Sequence, residues 1–70
     1  MMKEEYLTEA LQVVPNREIL INLASRRASE LARGTNPLIQ IEPKDRDNYL
    51  DIALQEVAAG KITYDEVPEE

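Results

Sequence analysis

Fourteen carboxylates and eight basic side chains are nearly all the reactive chemistry of this 70-residue chain, because cysteine and histidine are both absent. Close carboxylate pairs such as Glu4 with Glu5, or Asp45 with Asp47, are the raw material of general acid–base catalysis. That chemistry needs a cleft that shifts their pKa values, and these pairs fall in the most polar segments of the chain. The run Asp45-Arg46-Asp47-Asn48 alternates acids as a calcium loop does, but it lacks that pattern's central glycine and distal glutamate. Without cysteine or histidine there is no ordinary zinc site and no disulfide framework. Gly34 follows a helical run and reads as a helix cap, with no glycine-rich phosphate cradle around it. No catalytic residue, metal ligand or cofactor site is expected.

The charge balance narrows the partners. A net charge of −6 argues against nucleic acid as the main ligand, since contact with phosphates needs a positive patch. Net positive charge is concentrated in the middle of the chain, where Arg17, Arg26, Arg27 and Arg33 stand against Glu18 and Glu30. The bland reading of that run is a solvated face with Arg26–Glu30 and Glu30–Arg33 pairs within one helix. No stretch approaches the ~20 apolar residues of a membrane span, and a secretory leader pattern is missing, so the cytoplasm is the expected location.

Seventy residues make one small domain, and domains of this size rarely gain more than ~3–5 kcal/mol from their cores. Phe and Trp are absent, and Tyr6, Tyr49 and Tyr64 lie in separate segments, so the core must come from Leu, Ile, Val and Ala. A chain with so few means of stabilising itself is expected to complete its fold against a partner.

Periodicity supplies the elements. A short first helix is predicted from about Leu7 to Val14, with Leu7, Ala10, Leu11 and Val14 on one face and Pro15 as its stop. Thr8 is an alternative start. Asn16 then reads as the N-cap of a longer helix that reaches about Arg33 and ends at Gly34. Its stripe is Leu20, Leu23, Ala24, Ala28 and Leu31, with Ile19 and Ile21 widening it at the N-terminal half. The plain structural reading of Arg27 within it is a stem laid over the core with its head in water. From Gly34 to Asn48 the chain should be irregular, with the apolar run Leu38-Ile39-Gln40-Ile41 open to strand pairing or to packing across the helices. A third helix follows from about Tyr49 to Ala59, capped by Asp47 or Asn48 and ended by Gly60, with Leu50, Ala53, Leu54 and Val57 on one face. The fold class is therefore all-α: a three-helix domain over residues 1–62 with a long loop between its second and third helices. Residues 63–70 form an acidic tail, expected to be mobile.

Three motifs in order carry a resemblance. They are Pro15-Asn16-Arg17, then Ala24-Ser25-Arg26-Arg27-Ala28 with Asn36-Pro37-Leu38, then Ile52-Ala53-Leu54-Gln55-Glu56-Val57 running on to Gly60-Lys61-Ile62. In this spacing, from about Tyr6 to Ile62, the chain resembles the omega subunit family of bacterial DNA-directed RNA polymerase. The resemblance implies a non-catalytic, mostly helical subunit. Such a subunit wraps the beta-prime subunit and assists its assembly with beta and two alpha subunits. It points to Asn16, Arg17, Arg26 and Arg27 as polar residues that touch the partner or fix the subunit's own fold, beside the apolar interface candidates Leu20, Leu23, Leu31, Ile52 and Leu54. Some relatives also bind guanosine tetraphosphate at that junction through an N-terminal Met-Ala-Arg. Here the chain opens Met1-Met2-Lys3-Glu4-Glu5, and the aligned position is Glu4, a carboxylate that repels phosphate. The nucleotide site is not carried over. A small acidic adaptor or antitoxin-like binding module, unrelated to transcription, is the alternative reading.

Overall fold

The structure is a computed structural model and describes residues 4–62. Lys3 and the acidic segment 63–70 lie outside the described residues. Helix α1 runs Glu4–Val13, helix α2 Arg17–Ala32 and helix α3 Tyr49–Ala58, with a single 3₁₀ turn at Pro43–Asp45. Among the described residues there is no strand, and the all-α expectation holds.

Helix α1 begins three residues earlier than its apolar stripe suggests. Glu4 and Glu5 occupy its first turn, where the helix dipole favours negative charge. Thr8 is therefore interior and does not cap. At the other end Val14 leaves the helix ahead of Pro15, as a residue preceding proline should, yet its N–H still reaches the Ala10 carbonyl at 2.9 Å.

The boundaries of α2 follow local chemistry closely. The Asn16 side chain accepts from the Ile19 N–H at 3.0 Å, satisfying one of the orphan donors of the first turn. At the C-terminus the Gly34 N–H donates to the Leu31 carbonyl at 3.0 Å and the Thr35 N–H to the Glu30 carbonyl at 3.1 Å. This pair of bonds is the Schellman arrangement, which requires a left-handed residue, and Gly34 supplies it at φ +108°. Helix α3 ends the same way, with Gly60 at φ +74° and the Lys61 N–H donating to the Glu56 carbonyl at 2.9 Å. At its start Asn48 holds the N-cap position without a side-chain cap bond, and its amide faces Asp45 Oδ1 at 3.5 Å instead.

Helix α3 is the centre of the molecule. It packs against both α1 and α2, which meet each other only sparsely. Ile52, Ala53, Leu54 and Val57 are all at most 2% exposed, joined in one core by Leu7, Ala10, Val14, Leu20, Leu23, Ala24 and Leu31. The single apolar face expected for α3 is thus too narrow. Ile52, off that face, is buried, whereas Leu50 is half-buried. A helix with neighbours on two sides needs more than one apolar stripe. In the connector, no residue of the Leu38–Ile41 segment is in a strand; Ile41 is half-buried and packs against the core, whereas Leu38 is exposed.

Candidate functional site

Three carboxylates, Asp45, Asp51 and Glu56, are at most 1% exposed. Burial of a charge without a partner costs several kcal/mol, roughly the whole stability of a small domain, so such groups come with partners. Glu56 points from α3 towards α2, where Arg27 lies on the same buried arc as Leu20, Leu23 and Leu31. Arg27 Nε donates to Glu56 Oε1 at 2.6 Å and Nη2 to Oε2 at 3.3 Å, a two-pronged contact. The rest of the guanidinium is engaged as well: Nη1 donates to Glu30 Oε1 at 3.1 Å and Nη2 to the Asn36 carbonyl at 3.2 Å. Glu56 Oε2 in turn accepts the Leu38 backbone N–H at 2.8 Å. The hydrogen bond to Glu56 is the main reason the Arg27 pKa is raised above the ordinary arginine value, with burial opposing and Glu30 assisting.

This arrangement corrects one sequence reading and adds a partner to another. The Arg27 head is not in water: its side chain is 11% exposed and that of Glu56 0%. Within α2, Glu30 also pairs with Arg27, three residues earlier, a partner the sequence reading did not name. Chemically the cluster is a tie, with the buried Glu56 charge paired by Arg27, linking α2, α3 and both sides of Pro37 in the connector. A second tie holds the connector's far end. The Tyr6 hydroxyl donates to Asp45 Oδ2 at 3.1 Å, joining α1 to the 3₁₀ turn ahead of α3.

The candidate interface residues divide by burial. Leu20, Leu23, Leu31, Ile52 and Leu54 are at most 5% exposed and form the chain's own core. Arg27 is committed to Glu56, while Asn16, Arg17 and Arg26 stand exposed on the surface. Among the described residues, the large apolar side chains that do face outward are Val13 at 42%, Ile19 at 40% and Leu38 at 50% exposure. Sequence reasoning placed none of these three among the interface candidates. Glu56 was also missed, because it sits in a helical run where a glutamate ordinarily reads as solvent-facing. The only hint was its lone charge in the otherwise apolar stretch Ile52–Ala59 apart from Gln55.

Beside Leu38 the surface has an open concavity of about 230 Å³, floored by Leu31, Pro37, Tyr49 and Ile52 and rimmed by Arg46 and Asp47. Among the described residues no three acidic side chains converge as metal ligands must. No described helix is long and apolar enough to cross a membrane. Glu4 and Glu5 are exposed in the first turn of α1.

Comparison with known proteins places this architecture in a family. The family model described as RNA polymerase Rpb6 matches residues 9–64. The DNA-directed RNA polymerase subunit omega of a Nitratiruptor species is 40% identical over 63 residues, covering 89% of each chain. The omega subunit of Helicobacter pylori is 37% identical over 67 residues, covering 94% of this chain and 89% of that one. That of Geobacter metallireducens is 37% identical over 57 residues, or 81% of this chain and 80% of its own length. No solved structure matches the chain. With the three motifs in order, an all-helical fold and a likeness that spans most of each relative, the chain belongs to the family of RNA polymerase Rpb6 and the bacterial omega subunits.

Proposed function

We infer that this chain is a non-catalytic accessory subunit of a bacterial DNA-directed RNA polymerase. In this reading it assists the folding of the largest subunit, beta-prime, and its assembly with beta and two alpha subunits in the cytoplasm. The observation that carries it is the likeness to omega subunits over nearly the full length of both partners. The geometry agrees. Glu56 and Asp45, buried carboxylates of the kind a catalytic site would use, are engaged in ties between elements. The core is small and assembled from Leu, Ile, Val and Ala, with Val13, Ile19 and Leu38 left outward for a partner to cover.

Guanosine tetraphosphate binding is not part of this function. The carboxylates of Glu4 and Glu5 occupy the end of the chain where a phosphate would need a cation. Affinity purification of the tagged chain, followed by identification of the proteins retained, tests the assignment. Recovery of beta-prime in stoichiometric amount is expected. Recovery of one unrelated soluble protein, with no polymerase subunit, would replace this reading with the adaptor alternative.

A further inference from the structure

A solitary exposed leucine is ordinary on a protein surface. Leu38 differs in how its backbone is held. Its N–H is bonded to the fully buried Glu56 carboxylate at 2.8 Å, and two residues earlier the Asn36 carbonyl accepts from Arg27 at 3.2 Å. Between these anchors stands Pro37, whose ring fixes its own φ and restricts the residue before it. A buried ion pair thus immobilises a loop whose side chain, the most exposed large apolar group among the described residues, faces solvent. An anchor already ordered before binding loses less entropy on docking.

The surroundings indicate what would cover it. Residues 34–41 carry no charge at all in a chain that is 31% charged, and six of them, Gly34, Thr35, Asn36, Pro37, Leu38 and Gln40, are exposed. A neutral surface of this kind matches a neutral, apolar partner surface and disfavours a charged one. The adjoining concavity, lined by Leu31, Tyr49 and Ile52 with the oppositely charged Arg46 and Asp47 at its rim, supplies the reciprocal feature, with room for an apolar side chain. Resting on the polymerase reading above, we propose that Leu38 is an apolar anchor that inserts into an uncharged pocket of the largest polymerase subunit, with the Arg27–Glu56 pair acting as its positioning device. The concavity next to Leu38 receives an apolar side chain from that subunit.

Binding of the fluorescently labelled full chain to polymerase prepared without it tests the proposal. Loss of a buried leucine side chain should weaken binding roughly tenfold or more in Leu38→Ala, and Leu38→Glu should weaken it further. Because Leu38 is half exposed, the melting midpoint of the free chain should stay unchanged in both variants. The chain has no cysteine, so Leu38→Cys creates a single labelling site for an environment-sensitive dye, whose emission should shift to the blue on binding. Wild-type affinity in Leu38→Glu, or a dye that stays solvated in the complex, overturns the anchor while leaving the polymerase reading intact. Failure of the wild-type chain to bind polymerase overturns that reading and the anchor with it. Concentration-dependent self-association abolished by Leu38→Glu, without an effect on polymerase binding, would assign the surface to a second copy and also overturn the proposal.

Discussion

The Arg27 guanidinium and the Glu56 carboxylate form a nearly solvent-free ion pair. Glu56 is fully buried, so Arg27→Ala leaves a carboxylate stranded in the interior, a change that typically costs about 3–5 kcal/mol. That is comparable with the total stability expected of a domain this size, about 3–5 kcal/mol. Circular dichroism of Arg27→Ala should therefore show a largely unfolded free chain. The double variant Arg27→Met with Glu56→Leu, which removes both charges together, should regain most of the helical signal, since apolar isosteres often replace buried ion pairs at no net loss. The raised Arg27 pKa has a definite sign. A group whose folded-state value lies above its unfolded value stabilises the fold at all lower pH, and loses that effect only on crossing upward through it. Arginine titrates far above neutrality, so Arg27 introduces no pH dependence over the physiological range. At the N-terminus, Glu4 and Glu5 lead to a second outcome at this scale. Titration of guanosine tetraphosphate into polymerase with and without this chain should give the same affinity, and an additional binding event lost in Lys3→Ala would show that a neighbouring lysine supplies the phosphate contact.

Among the elements, helix ends and the central helix respond differently to substitution. Asn16→Ala removes the one side-chain bond that caps α2, and such losses cost about 1 kcal/mol. The midpoint of thermal unfolding should fall by roughly 4–8 °C, the shift that 1 kcal/mol produces in a domain of this length. Gly60→Ala meets no neighbouring atom, so its cost is purely that of a left-handed backbone at φ +74°, roughly 1–2 kcal/mol. Helix α3 tolerates far less. Leu54 is 0% exposed, and Leu54→Ala in a close-packed interior costs about 2–5 kcal/mol, enough to unfold the free chain. Leu23→Asp and Leu31→Asp belong with it, because both residues are core and a buried unpaired charge is worse than a cavity. Loss of polymerase binding in those variants would report unfolding, which a circular dichroism spectrum of the free chain distinguishes from a damaged interface.

At the scale of the whole molecule, the free energy of folding is a small surplus. Eleven buried apolar residues, three of them alanine, form the core among the described residues. Their burial barely offsets the conformational entropy of the chain. The isolated protein should melt broadly and with weak cooperativity, followed by circular dichroism. Addition of the largest polymerase subunit should sharpen and raise the transition, because a partner that binds only the folded state stabilises it by mass action. A sharp independent transition above roughly 80 °C, beyond the usual mesophile range, would show that the core suffices alone.

What the sequence determined by itself was whatever depends on neighbours a few residues apart. The Asn16 cap, the stop before Pro15, the glycine ends at Gly34 and Gly60 and the apolar stripes of α1 and α2 are local chemistry, and each stands where the spacing placed it. The order of the three motifs also carried the family. Only the tertiary structure decided which apolar residues are core and which face outward, because that depends on α3 lying between α1 and α2 and so being buried beyond its one apparent stripe. Glu56, Arg27 and Leu38 are brought together across 29 and 18 residues of chain by that packing. No local pattern distinguishes a helical glutamate that faces water from one that faces an arginine on another helix. The difference is a matter of burial, and burial is a property of the assembled fold.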